Sequence, residues 1–410
     1  MLSPSPPPAA APTPAGPLAG IRVLDLSAYI AGPYGCTLLA DQGAEVIKIE
    51  PPEGDSTRHT GPSKEAGMAA MFLGSNRSKK SVALDLKQTE AQEALGALIA
   101  TADVLMHSMR PQKLAGLGLA PEALRQRFPR LVYASLVGFL PGPYAGKPAY
   151  DDVIQGMSGL ADLMERQGGE MRYLPTIAAD KTCAHVAAHA ILAALWQRER
   201  TGEGAFVEIP MFESMVGFNL VEHYYGQHFE PPLSAPGYPR VLAPWRRPYR
   251  TADGAVAMMP YTNLHWQRFF TEVGAPELAR DARFVDIASR TRHIAELLEL
   301  ASGFTERHTT AHWIAVCERL EIPAAPVAKL QDLPLDPHLV ATDFFETVAD
   351  PALGDVRFPG VPVRFDGQRA AITMPPRLGE HTRELLAQAG LGAAQIDALV
   401  DTRAAIAPAT

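Results

Sequence analysis

Short apolar runs separated by helical stretches and loops constrain this chain more than any other feature. Residues 21–26, 45–50, 81–86, 103–106 and 131–136 are such runs, and 206–209 is a sixth. Each is shorter than a buried helix, and each reads as a strand. Helical segments fall between them at 34–42, stopped by Gly43, and at 88–101. Gly32-Pro33 reads as a break ahead of the first helix. Strands alternating with helices predict an α/β fold with a mostly parallel sheet covered on both faces.

Near residue 226 the texture changes. Pro and aromatic residues cluster over 229–239, and 249–259 reads as a hairpin with Asp253-Gly254 at its turn. Helical segments rich in Glu and Arg follow near 264–273, 286–303 and 309–320, which reads as a smaller α+β domain. Short strands and turns resume after Pro337, and two amphipathic helices close the chain near 382–389 and 394–400. The domain boundaries read this way are a disordered Pro/Ala-rich arm over 1–16, a large domain over 17–225, a small domain over 226–330 and a C-terminal stretch over 331–410.

Composition removes several function classes. A net charge of −8, with no run of Lys and Arg, argues against a nucleic-acid partner. Cys36, Cys183 and Cys317 lie far apart, without metal spacing or a disulfide framework, which predicts a reducing, cytoplasmic setting. No stretch reaches the roughly 18 apolar residues of a membrane span, so no membrane partner is expected. The N-terminal arm has neither the basic nor the apolar region of a signal peptide.

The residue with most chemical promise is Asp180, in Leu174-Pro-Thr-Ile-Ala-Ala-Asp180, directly before the apolar run 183–196. A helix start stabilises a carboxylate through free backbone N–H groups and the dipole. The structural alternative is an N-cap. Tyr150-Asp151-Asp152 precedes a second apolar stretch and reads as a helix start too. The turn Ser27-Ala-Tyr-Ile-Ala-Gly32-Pro33-Tyr-Gly35 lacks the glycine spacing of a dinucleotide site, and no P-loop occurs. Such a turn still presents backbone N–H groups to a phosphate. His185 and His189 stand four apart but lack the glutamate of H-E-x-x-H, so they read as packed side chains and no metal is expected. Ser27, Ser108 and Ser158 lack a nucleophile elbow. Arg58, Lys79, Lys80, Lys87 and Arg110 lie on loops beside the first four strands and suit a polyphosphate ligand.

In order along the chain, these segments resemble the class III CoA-transferases, whose relatives include the α-methylacyl-CoA racemases. The matching pieces are 17–26, Ala31-Gly-Pro33, 43–50, Gly54-Asp-Ser-Thr-Arg58, 76–87, Ala102-Asp-Val104, Tyr150-Asp-Asp152, Ala178-Ala-Asp180, Arg200-Thr-Gly-Glu-Gly204 and Arg377-Leu-Gly-Glu-His-Thr382. The resemblance implies a Rossmann-like large domain built from both chain ends, with 331–410 returning to it, and interlocked homodimers. It makes Asp180 the match to the family's nucleophile. It places substrate and CoA contacts at Ser27, Ala28, Ala31, Leu84, Lys87, Ser108, Met109, Tyr150 and Asp151, with Arg58 nearby. Ile30 and Met71 replace a glutamine and a tyrosine of formyl-CoA transferase, which argues against oxalate as acceptor, and the glycine-rich loop of that enzyme is not evident in 258–263. Tyr150 stands where the racemases carry a histidine, which favours transfer over racemisation.

The expected activity is therefore CoA transfer from an acyl-CoA donor to a small carboxylic acid through an aspartyl-CoA thioester, with no cofactor beyond CoA as substrate and product. The alternatives are a 2-methylacyl-CoA epimerase, in which Tyr150 and Asp180 act as acid and base, and a silent acyl-CoA-binding protein. Arg246, Arg247 and Arg250 are candidates for a second carboxylate of the substrate.

Overall fold

The computed structural model describes residues 16–408. Of the arm expected over 1–16, only Gly16 falls within the described residues. The strands are, in chain order, β1 (Arg22–Leu26), β2 (Glu45–Glu50), β3 (Lys79–Leu84), β4 (Val104–His107), β5 (Val132–Val137) and β6 (Phe206–Pro210). They continue with β7 (Tyr249–Arg250), β8 (Ala255–Met258), β9 (Ala324–Pro326), β10 (Phe345–Asp350), β11 (Gly354–Pro359) and β12 (Ala405–Ile406). Seven of them form one sheet in the order β12-β3-β2-β1-β4-β5-β6. Every pairing in it is parallel except β12 against β3. The inner order 3-2-1-4-5-6 is that of a Rossmann-like, doubly wound sheet. The six strands read from sequence are present, with ends displaced by no more than two residues.

Side chains two apart share a sheet face. Leu24 and Leu26, Ile47 and Ile49, and Val82 and Leu84 accordingly join one buried cluster. Onto it pack Leu95 and Leu98 of the Thr89–Ile99 helix, Leu385 and Leu386 of the Thr382–Gln388 helix, and Leu399 of the Ala393–Asp401 helix. The first strands and last helices of the described chain thus share a core. Elsewhere in this unit the Ala31–Ala40 helix packs along the Ala178–Thr201 helix through small residues. A Cβ on Gly35 would lie 3.1 Å from the Ala184 carbonyl oxygen, and Cys183, Ala184, Ala187 and Ala188 are buried.

The expected break at Gly32-Pro33 does not occur, because both residues sit in the first turn of the Ala31–Ala40 helix. A proline fits there, since the first turn needs no N–H donor from it. Gly32 is required for a different reason: a Cβ there would meet the Ser27 Cβ at 2.2 Å.

The chain divides into two compact units. The first runs up to 155, then 177–215, then from 338, and contains the seven-stranded sheet and the antiparallel hairpin β10–β11. The second contains 156–176 and 216–337, the antiparallel sheet β7-β8-β9, and an aromatic core of Trp266, Phe269, Phe270, Phe284 and Trp313. The Asp253-Gly254 hairpin is present as β7–β8. The sequence boundaries at 225/226 and 330/331 therefore move. Residues 156–176, 216–225 and 331–337 belong to the second unit. Composition changes only at 226, whereas packing changes earlier: Asn219 Nδ2 donates to the Ser158 carbonyl at 3.0 Å, and Arg166 to the Pro236 carbonyl at 3.1 Å. The helix expected over 286–303 is two helices, Ile287–Arg292 and Ile294–Thr305, with non-helical His293 between them. Among the described residues no helix is long and apolar enough to cross a membrane.

A buried ionic network lies within the first unit. Asp25 is fully buried and accepts from Lys79 Nζ at 2.8 Å and from the Ser27 N–H at 3.0 Å, as well as from the Ser27 hydroxyl. Lys48, also fully buried, pairs with Asp55 at 2.9 Å and donates to the Ser27 carbonyl at 3.0 Å. Burial opposes ionisation of Asp25, but Lys79 and Lys48 overcome it and hold the carboxyl at about 2. Removing one partner of a buried pair leaves the other charge uncompensated. Asp25→Ala should cost about 3–5 kcal/mol, read as a lower urea midpoint at constant m-value. A loss under about 1 kcal/mol would show that the network does not hold the sheet together.

Candidate active site

In a doubly wound sheet, ligands bind beyond the carboxyl ends of the strands where the strand order reverses. Here the order reverses between β1 and β4. The turns leaving those strands, Ser27-Ala28-Tyr29 and Ser108-Met109-Arg110, line a cleft of about 650 Å³. Its volume is in the range of small-molecule sites. The two turns are tied together by the Ala28 N–H donating to Ser108 Oγ at 3.1 Å. The β4 turn is further held by His107 Nδ1, which accepts the Met109 N–H at 3.1 Å. Burial lowers the His107 pKa to about 4, so its ring is neutral at pH 7 and free to accept.

Ser27, Ala28, Ala31, Leu84, Lys87, Ser108, Met109, Tyr150 and Asp180 all line this cleft, although they come from five separate stretches of chain. Arg58 and Asp151 do not. Arg58 is buried and makes a two-pronged ion pair with Glu50, Nε and Nη2 each at 2.7 Å, which leaves it no face for an anion. Lys79 is likewise engaged by Asp25, whereas Lys87, Arg110 and Lys147 reach the cleft.

Asp180 is not the N-cap of its helix. The helix is Ala178–Thr201, its N-cap is Ile177, and Asp180 is its third residue. The capping acceptor comes from another helix, Asp151–Met157. Asp151 Oδ1 accepts the Ala179 N–H at 2.8 Å and the Asp180 N–H at 3.1 Å. Asp151 thus binds the backbone of Asp180's turn and does not line the cleft. Burial, with a smaller contribution from the Asp151 charge, raises the Asp180 pKa to about 6. At pH 7 the side chain is still mostly ionised, roughly nine-tenths, and is more basic than an ordinary carboxylate.

Tyr29 did not stand out in the sequence. It adopts φ 65°, a strained value for a bulky residue, at the β1 turn. Its ring lies edge-on to Tyr150, centroids 5.4 Å apart, with the hydroxyls 3.4 Å apart. The available signal was an aromatic residue in a strand-to-helix turn. Lys147, with Nζ 4.4 Å from the Tyr144 ring centre, lies in a loop that carries no motif. His185 and His189, expected as packed side chains, are both exposed, although the His185 ring lies edge-on to Tyr34 at 5.9 Å; in the second unit Arg247 stacks on Trp245 at 4.4 Å.

A statistical description of CoA-transferase family III matches residues 18–382. The chain belongs to CoA-transferase family III. It is 33% identical over 394 residues to the probable fatty acyl-CoA transferase Rv3272 of Mycobacterium tuberculosis, covering 92% of this chain and 98% of the relative. It is 31% identical to the succinate–glutarate CoA-transferase of Agrobacterium fabrum, covering 91% and 95%. The crystal structure of an aspartate-to-alanine mutant of Rv3272 superposes with a TM-score of 0.79 at 32% identity, covering 92% of this chain and all of that one. A CAIB/BAIF family protein of Brucella suis gives 0.75 at 30% identity, covering 91% and 99%. The likeness spans the sheet and the cleft together.

The raised pKa of Asp180 has a stability consequence. Between about pH 4 and 6 the folded chain keeps a proton that the unfolded chain has lost, so this residue favours folding most at low pH. That contribution is withdrawn as pH rises through about 6. Asp180→Asn escapes the penalty and should be more stable than the parent by about 2–3 kcal/mol at pH 8, with the gap closing near pH 4. Paired urea titrations at the two pH values test this. A gap that widens on acidification would contradict the burial of Asp180.

Proposed function

We propose that this member of family III moves coenzyme A between carboxylic acids with Asp180 as the covalent nucleophile. The observation that carries the reading is the placement of one half-buried carboxylate of raised pKa on the cleft at the reversal of strand order. Relatives named succinate–glutarate, succinyl-CoA:mesaconate and acetyl-CoA:oxalate CoA-transferases support it.

The Asp180 carboxylate attacks the acyl carbonyl of the donor thioester and expels the CoA thiolate, forming a mixed aspartyl–acyl anhydride. The thiolate returns to the aspartyl carbonyl and releases the donor acid as its carboxylate, leaving an aspartyl-CoA thioester. The acceptor carboxylate attacks that thioester, forming a second anhydride and the thiolate again. Attack of the thiolate on the acceptor's carbonyl gives the new acyl-CoA and restores Asp180. Each step exchanges one anion for another, so no net proton transfer is needed. Lys87, Arg110 and Lys147 are the cations placed to meet CoA phosphates, and the Ser27–Ala28 and Ser108–Met109 turns offer backbone groups to the rest of the ligand.

The subunit pairs with a second copy in this reading. Large apolar side chains left exposed, among them Trp196, Phe218, Val221 and Leu330, support that. The three cysteines are free and buried, which supports a reducing, cytoplasmic setting. Sedimentation equilibrium at low micromolar concentration should return twice the 44.1 kDa of one chain. A folded, active monomer would refute the pairing.

Incubation with succinyl-CoA or acetyl-CoA and no acceptor should leave a thioester at Asp180. Hydroxylamine should convert it to a hydroxamate and borohydride should reduce it to an alcohol, each mapping by peptide mass to the segment holding Asp180. Asp180→Asn should retain CoA affinity while losing transfer by at least about a thousandfold. A fully active variant, with the mark on another carboxylate, would defeat the assignment.

A further inference from the structure

Asp151, expected in the cleft and withdrawn from it, joins Asp180's turn to another helix. Oδ1 accepts two N–H groups of that turn at 2.8 and 3.1 Å, and Oδ2 accepts Gln155 Nε2 at 2.6 Å. The helix Ala178–Thr201 has no side-chain cap from its own N-cap residue. We propose that Asp151 is a positioning residue for the nucleophile: it fixes the first turn that carries Asp180 and sets a negative charge beside the backbone of that residue. The inference rests on the reading of Asp180 as nucleophile.

The contact has two effects. The Asp180 N–H is held by Oδ1, so the backbone that aims the reacting side chain is fixed before substrate arrives. The same N–H groups would otherwise stabilise a carboxylate at the helix start. Here they are engaged by Asp151, and Asp180 faces a like charge in their place. That repulsion exists only while Asp180 is an anion. In the anhydride and the thioester Asp180 is neutral, so acylation relieves it. The resting nucleophile is thereby raised relative to its covalent forms, which lowers the barrier to attack.

Other ionisable groups stand on the elements packed around this pair. Among them are Lys181, Cys183, His185 and His189 on the same helix, Tyr34 and Cys36 on the Ala31–Ala40 helix, Tyr150 and Asp152 beside Asp151, Glu208 on β6, and Glu213 on the Met211–His223 helix. Tyr29 faces Tyr150 from the β1 turn. Burial, with Asp180 and Asp151, pushes the Cys183 thiol up to about 12, so it stays protonated across the range in which Asp180 titrates.

The test uses the full-length enzyme with a donor and acceptor pair it turns over, assayed from pH 4.5 to 8 in the parent, Asp151→Asn and Asp151→Ser. Both variants keep a hydrogen-bond acceptor and lose the charge, and the serine variant supplies the measurement if the asparagine variant does not fold. The acid limb of kcat should move to lower pH by at least about half a unit. At pH 7.5, kcat should fall roughly tenfold or more while KM for the acyl-CoA stays within about twofold. An unmoved acid limb, with Asp180→Asn inactive, would overturn the proposal even if kcat fell, because a purely structural role lowers rate without moving the limb. An active Asp180→Asn variant would instead overturn the nucleophile assignment on which it rests.

Discussion

Asp25 is the group on which the arrangement of the first unit depends. It ends neither a strand nor a loop. It sits inside β1, fully buried, where its carboxylate joins the Ser27 turn to Lys79 at the start of β3. Lys79 in turn donates to the Pro33 carbonyl at 2.8 Å and to Asn76 Oδ1 at 2.9 Å. A single buried charge therefore ties the β1 turn, the first turn of the following helix and the start of β3. A network of this kind adds little net stability compared with an apolar core of equal volume, but it is expensive to break. It holds three segments in one geometry. The cleft is built on the turn that this network holds.

The second determinant is steric. Gly32 leaves room for the Ser27 turn, and Gly35 leaves room for the Ala184 carbonyl, which lets the Ala31–Ala40 and Ala178–Thr201 helices approach closely. Close approach brings Asp180 to the same cleft as Ser27 and Ser108. A larger residue at Gly35 would push the helices apart and move the carboxylate from the turns that line the cleft, and one at Gly32 would displace the Ser27 turn itself. Backbone packing at a few small residues thus decides a distance on which chemistry depends.

The same packing explains why Asp180 is costly. Burial raises its pKa, and the Asp151 charge adds to that, so the ionised form it takes at neutral pH is the one the fold disfavours. Strained or unfavourable groups persist where the surrounding structure over-determines them. Tyr29 at φ 65° is a second case in the same cleft. Both departures lie where strand order reverses, while the opposite core, with Leu24, Ile47, Val82 and Leu385, follows ordinary rules of apolar burial.

Much of this protein was legible in its residues. The apolar runs located the six parallel strands because short, buried strands must be apolar at nearly every position. The ordered series of short motifs pointed to the family and to Asp180, and nine of the eleven expected site residues line one cleft. The failures share a cause. Arg58 looked like an available cation, Asp151 like a cleft residue, Gly32-Pro33 like a break, and 156–176 like part of the large domain. For Arg58 and Asp151 the local chemistry was read correctly as to type and wrongly as to partner. Whether an arginine faces a ligand or is held by Glu50 and the distant Pro376 carbonyl, and whether an aspartate meets substrate or the N–H groups of another helix, depends on how separate elements fold back on one another. Periodicity and composition act over a few residues and determine which elements form. Only the tertiary structure brings Glu50 to Arg58 and Asp151 to Asp180, because those pairings exist only once the helices have packed on the sheet.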